Sequence, residues 1–157
     1  LSPNVISISV YTDYYCGGAY PDWGDNPINL NARTAQVLTL EDILWTGEGD
    51  PVRYDRDLPP WARSSAGDAS YRETYLVPWL IEQLKTLHPE STDENGCDDY
   101  DDEQNIRQWE FPTWLLNAEG IEFTPSYPHA VAVCRIPVTL PYEIVRQRPG
   151  VLKLALP

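Results

Sequence analysis

The sequence predicts an α+β fold in which an antiparallel sheet carries one main amphipathic helix on a face. Short segments near both ends of the chain have the two-residue period of strands, and residues 70–88 between them have a helical period. The order is strands, helix, strands, without the strand–helix–strand alternation of a parallel sheet. A length of 157 residues, 42% of them hydrophobic, predicts a single domain with one core.

The N-terminal third predicts the first strands. In residues 5–15, Ile6, Ile8 and Val10 alternate with serines, which is typical of a half-buried strand. Residues 27–31 alternate again, and residues 36–40 predict a further short strand. Thr39 is placed to cap one or two helical turns over residues 41–45.

The main helix is predicted from a capping box and a helical hydrophobic period. Ser70 is the expected N-cap, and Glu73 lies three residues further on as its partner. Aromatic and aliphatic residues then recur at helical spacing to about His88. Because Pro78 lies inside this segment, the helix either kinks there or starts again at Val77.

The C-terminal half predicts three successive strands over residues 107–116, 120–124 and 130–136. A turn at residues 117–120 and a loop at residues 125–129, braced by prolines, separate them. A short helix is expected within residues 143–148.

The charge of the chain excludes some classes of partner. Its formal net charge is −13 and its pI is about 4.3, which disfavours nucleic acid and anionic membrane surfaces. Its apolar runs are too short for a membrane span. An acidic surface steers a basic partner, although solubility alone would also explain the charge.

The cysteines predict an oxidising compartment. Because Cys16, Cys97 and Cys134 are odd in number, at most one internal disulfide can form. We expect it between Cys97 and Cys134, with Cys16–Cys134 as the alternative pairing. The chain has no Met and opens at Leu1. We therefore expect a processed product, the C-terminal part of a longer secreted or lipid-anchored precursor.

The acidic residues 93–102 partly fit a calcium loop. On the EF-hand register, oxygen ligands would come from Asp93, Asn95, Asp99 and Asp102. Ser91 stands where the first Asp is expected, so a solvated acidic loop is favoured and no metal or other cofactor is expected. The sequence also lacks a Gly-x-Ser-x-Gly elbow, and its two histidines stand apart, so we expect a protein that is not an enzyme.

Motifs in both halves resemble the DUF3298/RsiV-like domains. The segment YYCGGAYP (residues 14–21), with the LTLEDIL run (residues 38–44), resembles their GGAHP…D…TG…LTL.DLF signature. Residues 111–123 resemble their F.L…GL.F hairpin, and residues 127–137 resemble their APY..G…V.IP strand. Two departures are Tyr20 in place of the usual His, and residues 32–35 in place of the Asp…Thr-Gly pattern.

This resemblance implies a lysozyme-binding function. Related domains are lysozyme-sensing ectodomains of anti-sigma factors, and similar folds are periplasmic inhibitors of invertebrate-type lysozymes. The chain is therefore expected to bind a basic, lysozyme-like peptidoglycan hydrolase in the bacterial periplasm, as an inhibitor or immunity protein whose loops enter the catalytic cleft. The alternatives are a ligand-sensing ectodomain, or a glycan-binding module that stacks sugars on Trp23, Trp45 and Trp61.

Two loops are the candidates for contact with the hydrolase. The first contributes Ser65, Gly67 and Tyr71, in a segment that resembles the Ser-Gly-x-x-Tyr loop of invertebrate-type inhibitors. The second has prolines that would limit the entropy lost on binding, and it contributes Pro125, Ser126, Tyr127 and His129. The alternative is that Tyr71 packs inward at the start of the helix and Tyr127 closes a hairpin.

Overall fold

A computed structural model describes residues 4–17, 22–53, 71–87, 97, 99–152 and 156. It confirms the α+β class: two two-stranded sheets and one three-stranded sheet, all antiparallel, accompany one main helix. The three-stranded sheet and the main helix share one apolar core, which includes Leu80, Ile121 and Phe123, and Leu40 packs in the same core.

The N-terminal strands form a long two-stranded ribbon. Strand β1 (Val5–Ile8) pairs with β4 (Ile28–Asn31), and β2 (Tyr11–Tyr14) pairs with β3 (Asp22–Asp25). The predicted strand over residues 5–15 is therefore broken at residues 9–10. A backbone hydrogen bond from Asn26 to Val10 (3.0 Å) connects the two halves. We call residues 5–14 and 22–31 the ribbon.

The isoleucines of β1 face solvent, opposite to the expectation for a half-buried strand, whereas Val5 is buried. Ile6 and Ile8 are exposed, whereas Ser7 lies on the inner side and contacts Asn29. The Asn29 side chain donates to the carbonyl of Trp114 (2.9 Å), and the Ser7 hydroxyl accepts from the backbone of Leu116 (3.0 Å). The polar face therefore turns inward because it satisfies backbone groups of a neighbouring strand.

The predicted strand over residues 36–40 is wrong except for one bridge between Leu30 and Val37. A single 3₁₀ turn, Leu40–Asp42, follows instead. Thr39 caps it as predicted, in a capping box where the Asp42 carboxylate accepts from the Thr39 backbone (2.9 Å).

The main helix contains a wide turn before its proline. Residues Arg72–Leu76 form π-helix, and α1 (Val77–Leu87) is regular from there. Pro78 has no N–H and its ring excludes the carbonyl four residues back, so a widened turn accommodates it. The helix is therefore continuous across Val77, where its regular part begins, and it does not start again there. Ser70 and His88 lie outside the described residues.

The predicted strand over residues 107–116 is shorter than expected. Helix α2 (Glu103–Arg107) precedes it, because the Asp102 side chain accepts from the backbone of Gln104 (2.7 Å) as an N-cap. Strand β5 (Thr113–Leu116) and strand β6 (Gly120–Thr124) then form the predicted hairpin.

The predicted strand over residues 130–136 is wrong. A 3₁₀ segment, His129–Cys134, occupies most of it, although its residues alternate like a strand. Strand β6 already pairs with β5 on one edge and β7 (Val138–Pro141) on the other, so it offers no edge to another strand. The short C-terminal helix α3 (Tyr142–Val145) begins one residue before the predicted segment.

Two ion pairs with buried carboxylates lie in the middle of the chain. Arg72 donates to Glu41 (2.7 and 2.9 Å), and both side chains are completely buried. Arg53 donates to Asp42 (2.7 Å), whose carboxylate is also buried. The backbone of Gly150 packs against this turn and donates to the Ile43 carbonyl (2.9 Å). Glu41 and Asp42 are thus buried in the core although both are acidic.

Candidate functional site

The segment between β6 and β7, residues 125–136, is held rigidly against the rest of the domain, and we call it the pinned loop. A disulfide joins Cys134 in this loop to Cys97, with a Cα–Cα distance of 5.2 Å. The predicted pairing is confirmed. Cys16 carries a free, exposed thiol.

Hydrogen bonds fix the first half of the pinned loop. The Tyr127 hydroxyl lies 3.1 Å from the Cys97 carbonyl and 2.8 Å from the Asn105 side-chain oxygen. The Ser126 backbone donates to the Gln108 carbonyl (2.9 Å). These contacts and the disulfide join the loop to the same acidic segment and helix α2, so little of its backbone is left to order on binding.

Arg135 connects the pinned loop to the ribbon. Its Nε donates to the Tyr127 carbonyl (2.7 Å), and its guanidinium lies 5.0 Å from the centre of the Trp23 ring, at cation–π distance. On the ribbon, Tyr11 stacks on Trp23 with ring centres 6.3 Å apart. Residues more than a hundred positions apart therefore form one continuous surface.

The outer side of the pinned loop is apolar and carries no acid. No Asp or Glu occurs between residues 125 and 136, although the chain as a whole has 24. Its exposed side chains are Ser126, Pro128, His129, Ala130, Val131, Val133 and Ile136. Several apolar side chains exposed together on an acidic protein are typical of a contact surface for another molecule.

The predicted contact residues fall into three groups. Ser126 and His129 are exposed on the pinned loop, whereas Pro125 and Tyr127 are buried beneath it. The buried Tyr127 side chain holds the loop in place through the hydrogen bonds of its hydroxyl. Ser65 and Gly67 lie outside the described residues.

Tyr71 is a core residue at the start of the helix. Its ring stacks on Trp45 with centres 4.3 Å apart, and its hydroxyl lies 3.1 Å from that of Thr46. Burial raises the pKa of Tyr71 above its ordinary value of 10.0, and the hydrogen bond to Thr46 opposes that shift. In this position its side chain stabilises the core and is not presented to a partner.

The tryptophans predicted as sugar platforms are not exposed where the structure describes them. Trp45 is buried under Tyr71, and Trp23 is half-buried between Tyr11 and Arg135. Trp61 lies outside the described residues.

Two of the predicted calcium ligands have structural roles. Asp99 accepts from the backbone of Asp101 (3.0 Å), and Asp102 caps helix α2. Asp93 and Asn95 lie outside the described residues. Within the described ranges, no three His, Cys, Asp or Glu side chains are grouped so that they could hold a metal ion.

The contact surface includes residues that sequence reasoning missed. The strand-like period of residues 130–136 does not predict that Val131 and Val133 are exposed on a 3₁₀ segment, and no local pattern predicts the contact between Arg135 and Trp23. Pro128 and Pro137 lie on either side of this segment. Because proline cannot donate to the hydrogen bonds of a sheet, the two residues indicate that the segment with the valines is not a central strand.

The fold and this surface define a disulfide-bonded α+β domain with an exposed apolar loop that is attached at several points. No family model, curated protein or solved structure matches the chain. The likeness to DUF3298/RsiV-like domains stays a prediction from its motifs. In the part of the chain that the structure describes, no helix is long and apolar enough to cross a membrane.

Proposed function

We propose that this domain binds a lysozyme-like peptidoglycan hydrolase in the bacterial periplasm and blocks its catalytic cleft with the pinned loop. The observation that carries the proposal is the apolar outer side of that loop, held in place by the Cys97–Cys134 disulfide and by Tyr127. The domain acts by occupying the cleft and contributes no chemical step.

Preorganisation supports this function. A loop that enters a cleft loses little conformational entropy if it is already ordered. The pinned loop is attached at Ser126, Tyr127, Cys134 and Arg135, while Val131 and Val133 between these attachments remain exposed. The exposed residues can therefore contact a partner without rearrangement of the backbone that holds them.

Charge supports a basic partner. The chain has a net charge of −13, so long-range attraction accelerates its encounter with a basic protein. The loop itself has no acid, so it enters a cleft without bringing a carboxylate close to the catalytic carboxylates of a glycosidase. The acidic remainder of the surface thus attracts the basic partner, and the acid-free pinned loop enters its cleft.

A turbidity assay of peptidoglycan lysis tests the proposal. Lysozymes of several types are assayed with and without the domain, and near-stoichiometric inhibition of at least one is expected. Val133→Asp in the loop should weaken inhibition by about 10- to 100-fold, as expected for a residue at the centre of an interface. Val52→Asp is the matched control, because Val52 is 63% exposed and Val133 is 65% exposed.

The outcomes are distinct. Inhibition by Val52→Asp that equals the wild type, together with a loss in Val133→Asp, supports insertion of the pinned loop. Absence of both inhibition and complex formation with every lysozyme refutes the proposal. Binding of purified peptidoglycan fragments without any hydrolase would favour the glycan-binding alternative.

A further inference from the structure

The face of the ribbon that packs on strand β5 extends beyond that strand. The β1–β4 and β2–β3 pairs share one register, in which Ser7 lies opposite Asn29 and Tyr11 lies opposite Asp25. Side chains alternate between the two faces of a strand, and residues opposite each other share a face. Tyr11 and Asp25 therefore lie on the same face as Ser7 and Asn29, which bind backbone groups of β5.

Four residues form the distal part of this face, and we call them the ribbon patch: Tyr11, Asp13, Trp23 and Asp25. The Tyr11 ring stacks on Trp23, with ring centres 6.3 Å apart and 26° between the ring planes. The Asp25 carboxylate accepts from the Ser9 hydroxyl (2.6 Å). These contacts hold the patch in place without a partner, although Tyr11 remains 63% exposed.

The ribbon patch adjoins the pinned loop through Arg135. The guanidinium of Arg135 lies 5.0 Å from the centre of the Trp23 ring, and its Nε donates to the Tyr127 carbonyl (2.7 Å). Tyr11, Trp23 and Arg135 thus form a continuous series of contacts from the ribbon to the loop. A partner that covers this end of the loop therefore lies beside the patch.

The pinned loop is too small to be the whole of a stable contact. It has seven exposed side chains, whereas a standard interface takes about 20–30 residues from each protein. A partner that binds the loop must therefore contact a neighbouring surface as well. Two surfaces adjoin the loop: the ribbon patch at Arg135, and helix α2 at Ser126 and Tyr127.

Tyr11 favours the ribbon patch as that neighbouring surface. Tyrosine is enriched at interfaces, because its ring offers a large contact area at a small loss of rotamer entropy. Helix α2 instead exposes the ion pair of Glu103 and Arg107 (2.6 Å), which a partner would have to desolvate. Residues 1–32 contain no Lys or Arg, so the ribbon also suits a basic partner.

We propose that Tyr11 is a second anchor of the contact with the hydrolase, which covers the ribbon patch together with the pinned loop. This inference rests on the proposed function for the identity of the partner. The loop enters the cleft, while Tyr11 packs on the basic surface beside the cleft, next to the carboxylates of Asp13 and Asp25. The contact thus has an apolar part at the loop and an acidic, aromatic part at the ribbon.

The test measures binding to c-type, g-type and invertebrate-type lysozymes by calorimetry, alongside the turbidity assay. All proteins carry Cys16→Ser, which prevents cross-linking through the free thiol. Tyr11→Ala removes the anchor, and Tyr11→Phe keeps the ring that stacks on Trp23. Tyr14→Ala is the matched control, because Tyr14 is also exposed (51%) and lies on the same strand but on its opposite face.

We expect Tyr11→Ala to weaken binding of the inhibited lysozyme by about 10- to 100-fold, as truncation of an interface anchor does. Tyr11→Phe and Tyr14→Ala should bind nearly as the wild type does. Because Tyr11 is exposed, the urea midpoint of Tyr11→Ala should stay close to that of the wild type, which separates lost binding from lost folding.

A charge variant tests the acidic part of the contact. Asp13→Asn should flatten the salt dependence of lysozyme binding, because screening acts on the carboxylate that faces the basic partner. Glu143→Gln is its control, because Glu143 is exposed on helix α3, outside the ribbon. An equal change of the salt dependence in the two variants would overturn the assignment of the basic surface to the ribbon patch.

The outcomes separate this inference from the proposed function. Equal affinities of Tyr11→Ala and the wild type overturn the inference, and so does a loss in Tyr14→Ala that equals the loss in Tyr11→Ala. If Val133→Asp still abolishes inhibition in either case, the proposed function stands alone. If a lysozyme binds through Tyr11 and Val133 without being inhibited, blocking of the cleft is refuted and the second anchor stands. If no lysozyme binds, both proposals are refuted.

Discussion

Removing the Cys97–Cys134 disulfide is expected to destabilise the domain and to loosen the pinned loop. The change is Cys97→Ala with Cys134→Ala, on a Cys16→Ser background in both the variant and its reference. Alanine is suitable because Cys97 is buried, and a polar replacement would add a separate cost of burial.

The magnitude follows from the length of chain that the bond closes. The two cysteines are 37 residues apart. In the chain-entropy model, a loop of this length corresponds to about 4 kcal/mol of stability at 25 °C. Domains of this size have a free energy of unfolding of roughly 5–15 kcal/mol, so the variant loses a large fraction of it.

Urea unfolding of the reference and the variant measures this loss. The Ser126 and Tyr127 hydrogen bonds remain in the variant, so it should fold at low temperature and bind the hydrolase more weakly than the reference does. A change below about 1 kcal/mol at unchanged m-value would refute the reasoning. It would mean that the acidic segment and the loop are held together without the bond.

Three further changes test the core. Arg72→Met should destabilise the domain by about 3–5 kcal/mol in urea unfolding, because it leaves the buried Glu41 carboxylate without its ion pair; adding Glu41→Leu should restore part of the loss. Gly150→Ala would place Cβ 2.3 Å from the Glu41 carbonyl and should lower the free energy of unfolding by at least about 2 kcal/mol, whereas Gly24→Ala, with only ordinary contacts, should be tolerated. Because the folded-state pKa of Tyr71 is raised above 10.0, the stability linked to its protonated form is fully present below pH 10 and is lost as the pH rises further. Tyr71→Phe should flatten this alkaline decline of the free energy of unfolding. An unchanged decline in the variant would contradict the role of Tyr71.

The hydrophobic period predicted the position of the first strand correctly, but it did not predict which face of the strand is buried. The period of Ile6, Ile8 and Val10 identified β1 correctly. It could not show that strand β5 needs partners for its backbone, which Ser7 and Asn29 supply. Apolar side chains are the buried ones only where the neighbouring surface is apolar. The edge of a sheet presents unpaired backbone N–H and C=O groups, so polar side chains are buried against it.

Local chemistry was the more reliable signal at helix ends. Thr39 caps the turn that follows it, and Pro78 interrupts the regular helix, as the sequence predicts. Both effects depend only on residues within one turn of the chain. The 3₁₀ segment His129–Cys134 was missed because a strand-like period does not show which segment pairs with β6, and Val138–Pro141 takes that place. Its valines therefore kept the pattern of a strand without becoming one.

Only part of the candidate site could be predicted from the sequence. The prolines around Tyr127 and the pairing of Cys97 with Cys134 marked the pinned loop in advance. The contact of Arg135 with Trp23 joins parts of the chain that no local pattern connects, and it places the loop beside the ribbon. That contact makes the loop and the ribbon neighbours, so substitutions in the two segments should have additive effects on stability only where they do not act through Arg135. Arg135→Gln keeps much of the length of the side chain and removes its charge, so the loop loses its cation–π contact with Trp23. The variant should therefore inhibit lysozyme more weakly than the wild type in the turbidity assay, and equal inhibition would show that this contact does not hold the loop in place.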